Sequence, residues 1–312
     1  MVFHMKNSGE KPQPKSQNRI IESRGDRVFS VMNGFLLFII VALVAYPLLY
    51  TVSASFSDPK MVTSGKLVLF PVGPNPDSYK EVFKNKDILL GYRNSLLITV
   101  GGVLLNMVVT ICGAYPLSRR DFYGRKTLMK LFSFTMFFSG GMIPLYLVVK
   151  NLGLLDSWLA LILPAALSTY NLIIMRTYFE NSVPYELQEA AFIDGCSNLK
   201  ILSHIILPLS GPILAVIALY YTVGHWNSYF SALLYINTRA KYPLQLFLRE
   251  VLVMNSMQTM MDAGAEDMAR QAMRAETIKY SVIVVSSIPM LILYPFVQKF
   301  FVKGVMIGAI KG

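Results

Sequence analysis

Several apolar runs longer than eighteen residues recur along this chain, separated by polar or basic segments. Each is long enough to cross a bilayer as a helix. Hydrocarbon offers no partner to a backbone N–H or C=O, so a spanning segment must satisfy its own hydrogen bonds. Composition agrees: of 312 residues 54% are hydrophobic and 15% charged, with mean hydropathy +0.48, whereas soluble domains carry more charge. The expected fold class is an all-α polytopic membrane protein.

A net charge of +11 suits nucleic acid in a soluble protein. In a membrane protein Lys and Arg collect in cytoplasmic loops and against anionic lipid, and no nucleic-acid partner is expected. Cys112 falls within a predicted helix and Cys196 in a loop, so neither a disulfide nor a metal site is expected.

Taken in order, residues 1–28 are polar and basic and read as a disordered cytoplasmic tail. Six spanning helices are predicted over 29–56, 94–117, 128–149, 157–179, 212–236 and 280–301, forming a transmembrane region of 29–302. Pro47 should kink or interrupt the first. Gly101, Gly102 and Gly113 on the second would let neighbours pack closely. Ser139-Gly140-Gly141 and Pro144 should weaken the third, and Pro164 lies in the fourth. The loop with Arg119, Arg120, Arg125 and Lys126 should face the cytoplasm, and the loop near 151–156, with no Lys or Arg between its ends, the exterior. Both termini (the C-terminal tail being 303–312) are then cytoplasmic, and 57–93 and 237–279 form exterior loops. The first of these should carry a short helix around Tyr79–Phe83. The second has amphipathic spacing at Leu244, Phe247, Leu248 and Val251, followed by Met254, Met257, Met260, Met261, Met268 and Met273, residues more often used for packing than for gripping a ligand.

Between the fourth and fifth helices lies a polar stretch with a helical grammar of its own, 182–208. Ser182 is a candidate N-cap, and Pro184 suits a first turn. Gly195 suits the left-handed residue that stops a helix, and Ser197 can cap a second helix ending at Pro208. The product is a helical hairpin outside the bilayer. Glu189-Ala190-Ala191, then Gly195 four residues on, then Ile205, Leu207 and Pro208 fix seven positions at set spacing. This pattern resembles the E-A-A-x-x-x-G, nine residues, I-x-L-P signature of permease subunits of ABC importers. The resemblance extends over about 29–312 and lies nearest the carbohydrate, maltose-type branch.

The resemblance implies a type I ABC importer permease fold and a complex. A second, related permease, a dimer of ABC ATPase subunits and an extracellular solute-binding protein would be its partners. It implies that Glu189, Ala190, Ala191, Asp194, Gly195, Leu207 and Pro208 dock on the ATPase and couple to it, and that the C-terminal tail also touches it. This chain binds no cofactor in that reading; ATP and Mg belong to the partner ATPase. The residues concur, since Ser64-Gly65-Lys66 and Gly124-Arg125-Lys126-Thr127 both lack the spacing that cradles phosphate. The chain is expected to be no enzyme. The terminal run 304–312 and Trp226-Asn227 resemble oligosaccharide permeases of Gram-positive bacteria, which places it in a bacterial plasma membrane.

The fifth helix concentrates Tyr220, Tyr221, Trp226, Asn227 and Tyr229 at membrane depth, and the fourth adds Tyr170 and Asn171. Aromatic faces beside hydrogen-bonding groups suit sugar rings, so Tyr170, Asn171, Tyr221, Trp226, Asn227 and Tyr229 are candidates for a substrate pathway. Interfacial anchoring and helix–helix hydrogen bonds account for them equally well. No intramembrane acid stands ready to pair with His225, which argues against a proton relay. A non-sugar solute remains the alternative, and a channel or secondary transporter a more distant one.

Overall fold

The computed structural model describes residues 23–258 and 265–309, with side chains over 23–251 and 277–300. The expected tail up to residue 22, the side chains of Met254, Met257, Met260, Met261, Met268 and Met273, and the C-terminal side chains expected to touch an ATPase lie outside the described residues. The regular structure of the described residues is all helical, with no strand among them. Two compact units divide at Leu49. The first holds most of α1 (Arg24–Ser55), a 32-residue helix with no amphipathic stripe, the pattern of a helix bathed in lipid. Its helical run begins before Phe29 and continues through Pro47, so of the kink or interruption expected there the interruption is absent.

The second unit begins with the last turn of α1, then α2 (Pro59–Thr63) and α3 (Asp77–Lys84). The short helix expected near Tyr79 is thus present, with Val82 buried against the core. Helix α4 (Lys86–Ser118) follows and starts eight residues before the expected Asn94. Asn85 caps it by accepting the Asp87 N–H at 2.9 Å, which lets the helix nucleate ahead of the apolar run.

Helix α4 is the axis on which the rest is assembled; α5, α7, α8, α12 and α14 all pack on it. Helices in lipid gain nothing from burying apolar surface, so close backbone approach and hydrogen bonds hold them together. Both are visible here. Gly91, Gly102 and Gly113 recur every eleven residues, three helical turns, and so share one face. A Cβ at Gly91 would come within 2.9 Å of the Leu244 backbone, and one at Gly102 within 2.6 Å of His225 Cε1. Asn94, Ser95, Asn106 and Thr110 are buried on the packed side, while Leu96, Leu97, Val100, Leu104 and Val108 face outward.

Three predicted spans are broken. The third becomes α5 (Arg125–Phe137) and α6 (Met142–Asn151), bent by 111°. Gly141, at φ 86°, sits at the break. The fourth becomes α7 (Leu159–Ile162) and α8 (Thr169–Ser182), because the segment around Pro164 cannot continue the helix and Ser168 caps a new one. The fifth becomes α12 (Gly211–Trp226) and α13 (Tyr229–Tyr235), interrupted at Asn227–Ser228. Between them, α9 (Tyr185–Ile193), α10 (Asn198–Ile201), a π turn (Leu202–Ile206) and α11 (Leu207–Leu209) make the hairpin. Ser182 belongs to the end of α8 and caps nothing; Pro184 itself occupies the N-cap position of α9.

The chain closes with α14 (Leu244–Gln258) and α15 (Ala265–Ala309). Leu244, Phe247 and Leu248 of α14 are buried, as their spacing predicts. The sixth helix is longer than expected at both ends, reaching well into the expected exterior loop and tail. By length and composition, α1, α4 and the 277–300 part of α15 can cross a membrane, and two bent pairs, α5 with α6 and α10–α11 with α12, can do so as broken spans.

Candidate functional site

The two chain reversals that meet at one end of the second unit are the α4–α5 loop and the hairpin. Helix α9 ends in paired reverse hydrogen bonds: Cys196 N–H to Ala191 C=O at 2.9 Å, and Gly195 N–H to Phe192 C=O at 3.0 Å. This geometry places Gly195 in the left-handed region, at φ 73°, where a Cβ is disfavoured. Ser197 then accepts the Lys200 N–H and starts the second limb, as expected. The limb ends at Leu209, one residue past the expected Pro208. Proline lacks an N–H, and the backbone before it widens into the π turn, where Leu207 N–H reaches Leu202 C=O. An 85° bend at Ser210 leads into α12.

Of the expected coupling residues, Ala191 is buried against the core, beside Ile201 and Ile206. Leu207 is half-buried there, and Glu189, Ala190, Asp194, Gly195 and Pro208 face outward. Two residues that the motif does not include complete this outer face: Ile193 is 87% and Leu199 78% exposed. Large aliphatic side chains are thus displayed beside the exposed Glu189 and Asp194.

What fixes the hairpin is an arginine that sequence reasoning assigned only to topology. Arg119 is 6% exposed. Its guanidinium grips Asp121 through two hydrogen bonds of 2.9 and 3.0 Å and donates to the Tyr115 hydroxyl at 3.1 Å. It also donates to the Gln188 amide oxygen of α9 at 3.2 Å and lies 4.7 Å from the Phe192 ring centroid. This guanidinium holds the Asp121 carboxyl below its ordinary range. Arg120 stacks over Tyr185, and Arg125 and Arg176 both reach Glu180. The basic loop is therefore a bracket for the hairpin. Gln188 is far from Arg119 in sequence, so no local pattern could reveal the pair.

Toward the other end, a cleft of about 620 Å³ opens between α7–α8 and α12–α13. It brings together Tyr170, Asn171, Tyr221, Asn227 and Tyr229 of the expected pathway, with Tyr220, Ser228 and Ser231. Tyr221 is fixed by Thr110, 2.7 Å away, and accepts the Ser168 N–H at 3.1 Å. His225 Nε2–H donates to Asn106 Oδ1 at 2.7 Å, while Asn106 Nδ2 donates to Ala165 C=O, so an amide serves where no acid is present. No Asp, Glu, Lys or Arg lines this cleft among the described residues. Its walls offer rings, amides and hydroxyls, groups that match the apolar faces and hydroxyl edges of a sugar. Trp226 is not part of it. At 2% exposure it is locked between α4 and α15, donating Nε1–H to Ser286 C=O at 3.2 Å with Tyr92 alongside.

The end opposite the hairpin is clamped by polar contacts. Asp156 accepts the N–H groups of Asn237 and Thr238, the Thr238 hydroxyl and Lys241 Nζ, at 2.7–3.0 Å. Hydrogen bonds from Thr238, then Lys241, hold its carboxyl well below the carboxylate range. Arg239 pairs with Asp87 and Glu250, and Asn94 donates to the carbonyls of Ala240 and Tyr242.

Residues 103–307 match the family of binding-protein-dependent transport system inner membrane components. The chain is 44% identical to the polygalacturonan/rhamnogalacturonan transport system permease protein YtcP of Bacillus subtilis, over 92% of this chain and 99% of that one. It is 43% identical to protein LplC of the same organism, over 93% and 97%. Its fold superposes with a TM-score of 0.80, at 35% identity, on the crystal structure of a bacterial ABC transporter involved in import of the acidic polysaccharide alginate, covering 90% of this chain and 99% of that one. The chain therefore belongs to the family of binding-protein-dependent transport inner membrane components, the permeases of ABC importers.

Proposed function

We propose that this chain is the membrane-spanning subunit of an ABC importer that takes up an oligosaccharide handed over by an extracellular solute-binding protein. The observation that carries the reading is the neutral cleft of rings, amides and hydroxyls standing above a hairpin built on the family's motif. Its relatives support this, one being named for transport of polygalacturonan and rhamnogalacturonan and another belonging to an importer of alginate, all saccharide chains. The chain is a transport subunit and not an enzyme; ATP and Mg are bound by the partner ATPase.

In this reading the chain crosses the membrane six times with both termini cytoplasmic, the spanning region being 29–302 and the tails 1–28 and 303–312. Support comes from the two ends. Loops 119–124 and 182–208 meet at one, held by Arg119 and Gln188. Loops 151–158 and 236–242 meet at the other, held by Asp156 and Thr238. The chain between them must alternate, whether a crossing is one helix or two halves. The basic bracket supports a cytoplasmic hairpin end. Glu189, Ala190, Ile193, Asp194, Gly195 and Leu199 then face the ATPase, while Leu207 and Pro208 shape the limb that leads into α12. A second, related permease completes the pathway, and the membrane is that of a Gram-positive bacterium.

ATP binding draws the ATPase pair together, and the hairpin follows. Arg119 carries the movement into α4, and the Ser210 bend carries it into α12, whose Tyr221 lines the cleft. Coupling exists to the extent that ATP binds one of these arrangements more tightly. Affinity purification from native membrane tests the reading. An ATPase, a second permease and a binding protein that takes saccharides should accompany the chain; recovery of the chain alone, under conditions that retain other importers intact, would refute it.

A further inference from the structure

A second cavity, of about 900 Å³, lies between α12, α14 and α15, and it shares Asn227 and Tyr229 with the first cleft. Among the described residues that line the two, one carries a formal charge: Arg249 of α14. We propose that Arg249 is the charge-recognition residue of the solute pathway and that the cargo is an acidic oligosaccharide, one whose sugar rings carry carboxylates. This rests on reading the clefts as the path of an oligosaccharide.

Three observations point the same way. First, the charge has no structural employment. The Arg249 guanidinium makes no hydrogen bond or ion pair among the described residues; it lies 5.6 Å from the Tyr229 ring centroid. The neighbouring Glu250 is taken by Arg239 at 2.8 Å. Every other arginine on this α14 end or in the hairpin bracket that is described above has a carboxylate, an amide or a ring from the fold's own reversals, whereas Arg249 is held over a wall of the cavity itself. Second, stacking leaves the edges of the planar fork open, and that fork matches a carboxylate through two parallel hydrogen bonds. Third, among the described residues no carboxylate lines either space to offset the positive charge there. A lone cation on low-dielectric walls favours anions along the path. Gln245, one turn before Arg249, donates to Asn227 Oδ1 at 3.4 Å and adds amides beside the guanidinium. A uronate ring fits such a wall: an apolar face for Tyr229 or Tyr294, hydroxyl edges for the amides, a carboxylate for Arg249.

The test uses the complete transporter in proteoliposomes, with the same binding protein in every arm so that its own selectivity cancels between variants. Uptake of trigalacturonate is compared with uptake of its methyl ester, which has the same rings without the charge. Wild type should favour the acid. Arg249→Gln should lower the acid-to-ester ratio roughly ten- to hundredfold, as loss of a charge-assisted hydrogen-bond pair does, and Arg249→Lys should restore part of it. An unchanged ratio in Arg249→Gln, whatever happens to the absolute rates, would overturn the assignment by returning Arg249 to packing. Wild-type uptake of neutral galactooligosaccharides without the acid would overturn the acidic cargo and leave the saccharide reading standing. Uptake of no saccharide at all would remove both.

Discussion

Replacing Arg119 by alanine should uncouple the transporter without unfolding it. The magnitude follows from the contacts. The pair with Asp121 contributes at most about 1 kcal/mol, because the Asp121 side chain is 56% exposed. Removing the donor leaves the buried Gln188 amide oxygen short of a partner, which costs about 1–3 kcal/mol. Loss of the guanidinium over the half-exposed Phe192 ring removes about 0.5–1 kcal/mol more. Only the last two join the hairpin to α4, so its attachment weakens by about 1.5–4 kcal/mol, roughly ten- to several hundredfold in the population of the attached state. The apolar seat of the hairpin, with Ala191, Ile201 and Ile206, is untouched. The ATPase should therefore still bind, but its stroke should no longer reach α4. The assay measures saccharide uptake and ATP hydrolysis in the same proteoliposomes. Solute moved per ATP should fall at least tenfold in Arg119→Ala and less in Arg119→Lys, which keeps the charge but not the fork. A double-mutant cycle with Gln188→Ala should show a coupling of about 1 kcal/mol. An Arg119→Ala transporter that keeps the wild-type ratio of uptake to hydrolysis would refute the reasoning.

Other substitutions probe separate parts of the account. Gly102→Ala should displace the His225 ring and break its bond to Asn106, costing about 1–3 kcal/mol, visible as a lowered Tm of the purified complex; an unchanged Tm would show that the ring has room to yield. At Gly195 a Cβ meets nothing within 4 Å, so Gly195→Ala should cost only the left-handed backbone penalty of about 1–2 kcal/mol. Gly195→Asp sets a charge on the docking face as well and should lose the ATPase on purification, whereas equal recovery in both variants would count against docking there. Asp156→Asn should lower the Tm at neutral pH. Because the folded carboxyl sits below its ordinary value, its contribution is complete above about pH 4 and is lost as pH falls further. The gap between wild type and variant should accordingly close in acid, and a gap independent of pH would assign the effect to shape rather than charge.

The hydrophobic runs in the sequence place the membrane helices, and the hairpin motif places its turn: Gly195 and Ser197 do what their positions demand. The breaks were harder to read. Pro164 and Ser139-Gly140-Gly141 mark where helices weaken, but whether a weak point bends by a few degrees or by 111° depends on the neighbours that take up the freed backbone groups. Pro47 shows the converse, a proline with a continuous helix around it. Five of the six candidate pathway residues line one cleft; Trp226 lies on the other side of α12, against the adjoining cavity, behind a break at Asn227 that no local pattern announces. The roles of Arg119, Gln188, Asn106 and Arg249 were hidden because each is defined by residues distant in sequence. An arginine in a basic loop looks the same whether it faces water or brackets a hairpin.

Docking of the hairpin on the ATPase is open to direct test by photo-cross-linking from Ile193, which stands 87% exposed on the hairpin's outer face. A photoreactive residue there, in the intact complex in native membranes, should form an adduct with the ATPase subunit that changes in yield when ATP is added, while the same residue at Leu97 on the outward face of α4 should label lipid or membrane protein. Labelling from Ile193 that never includes the ATPase, with or without nucleotide, would contradict the account.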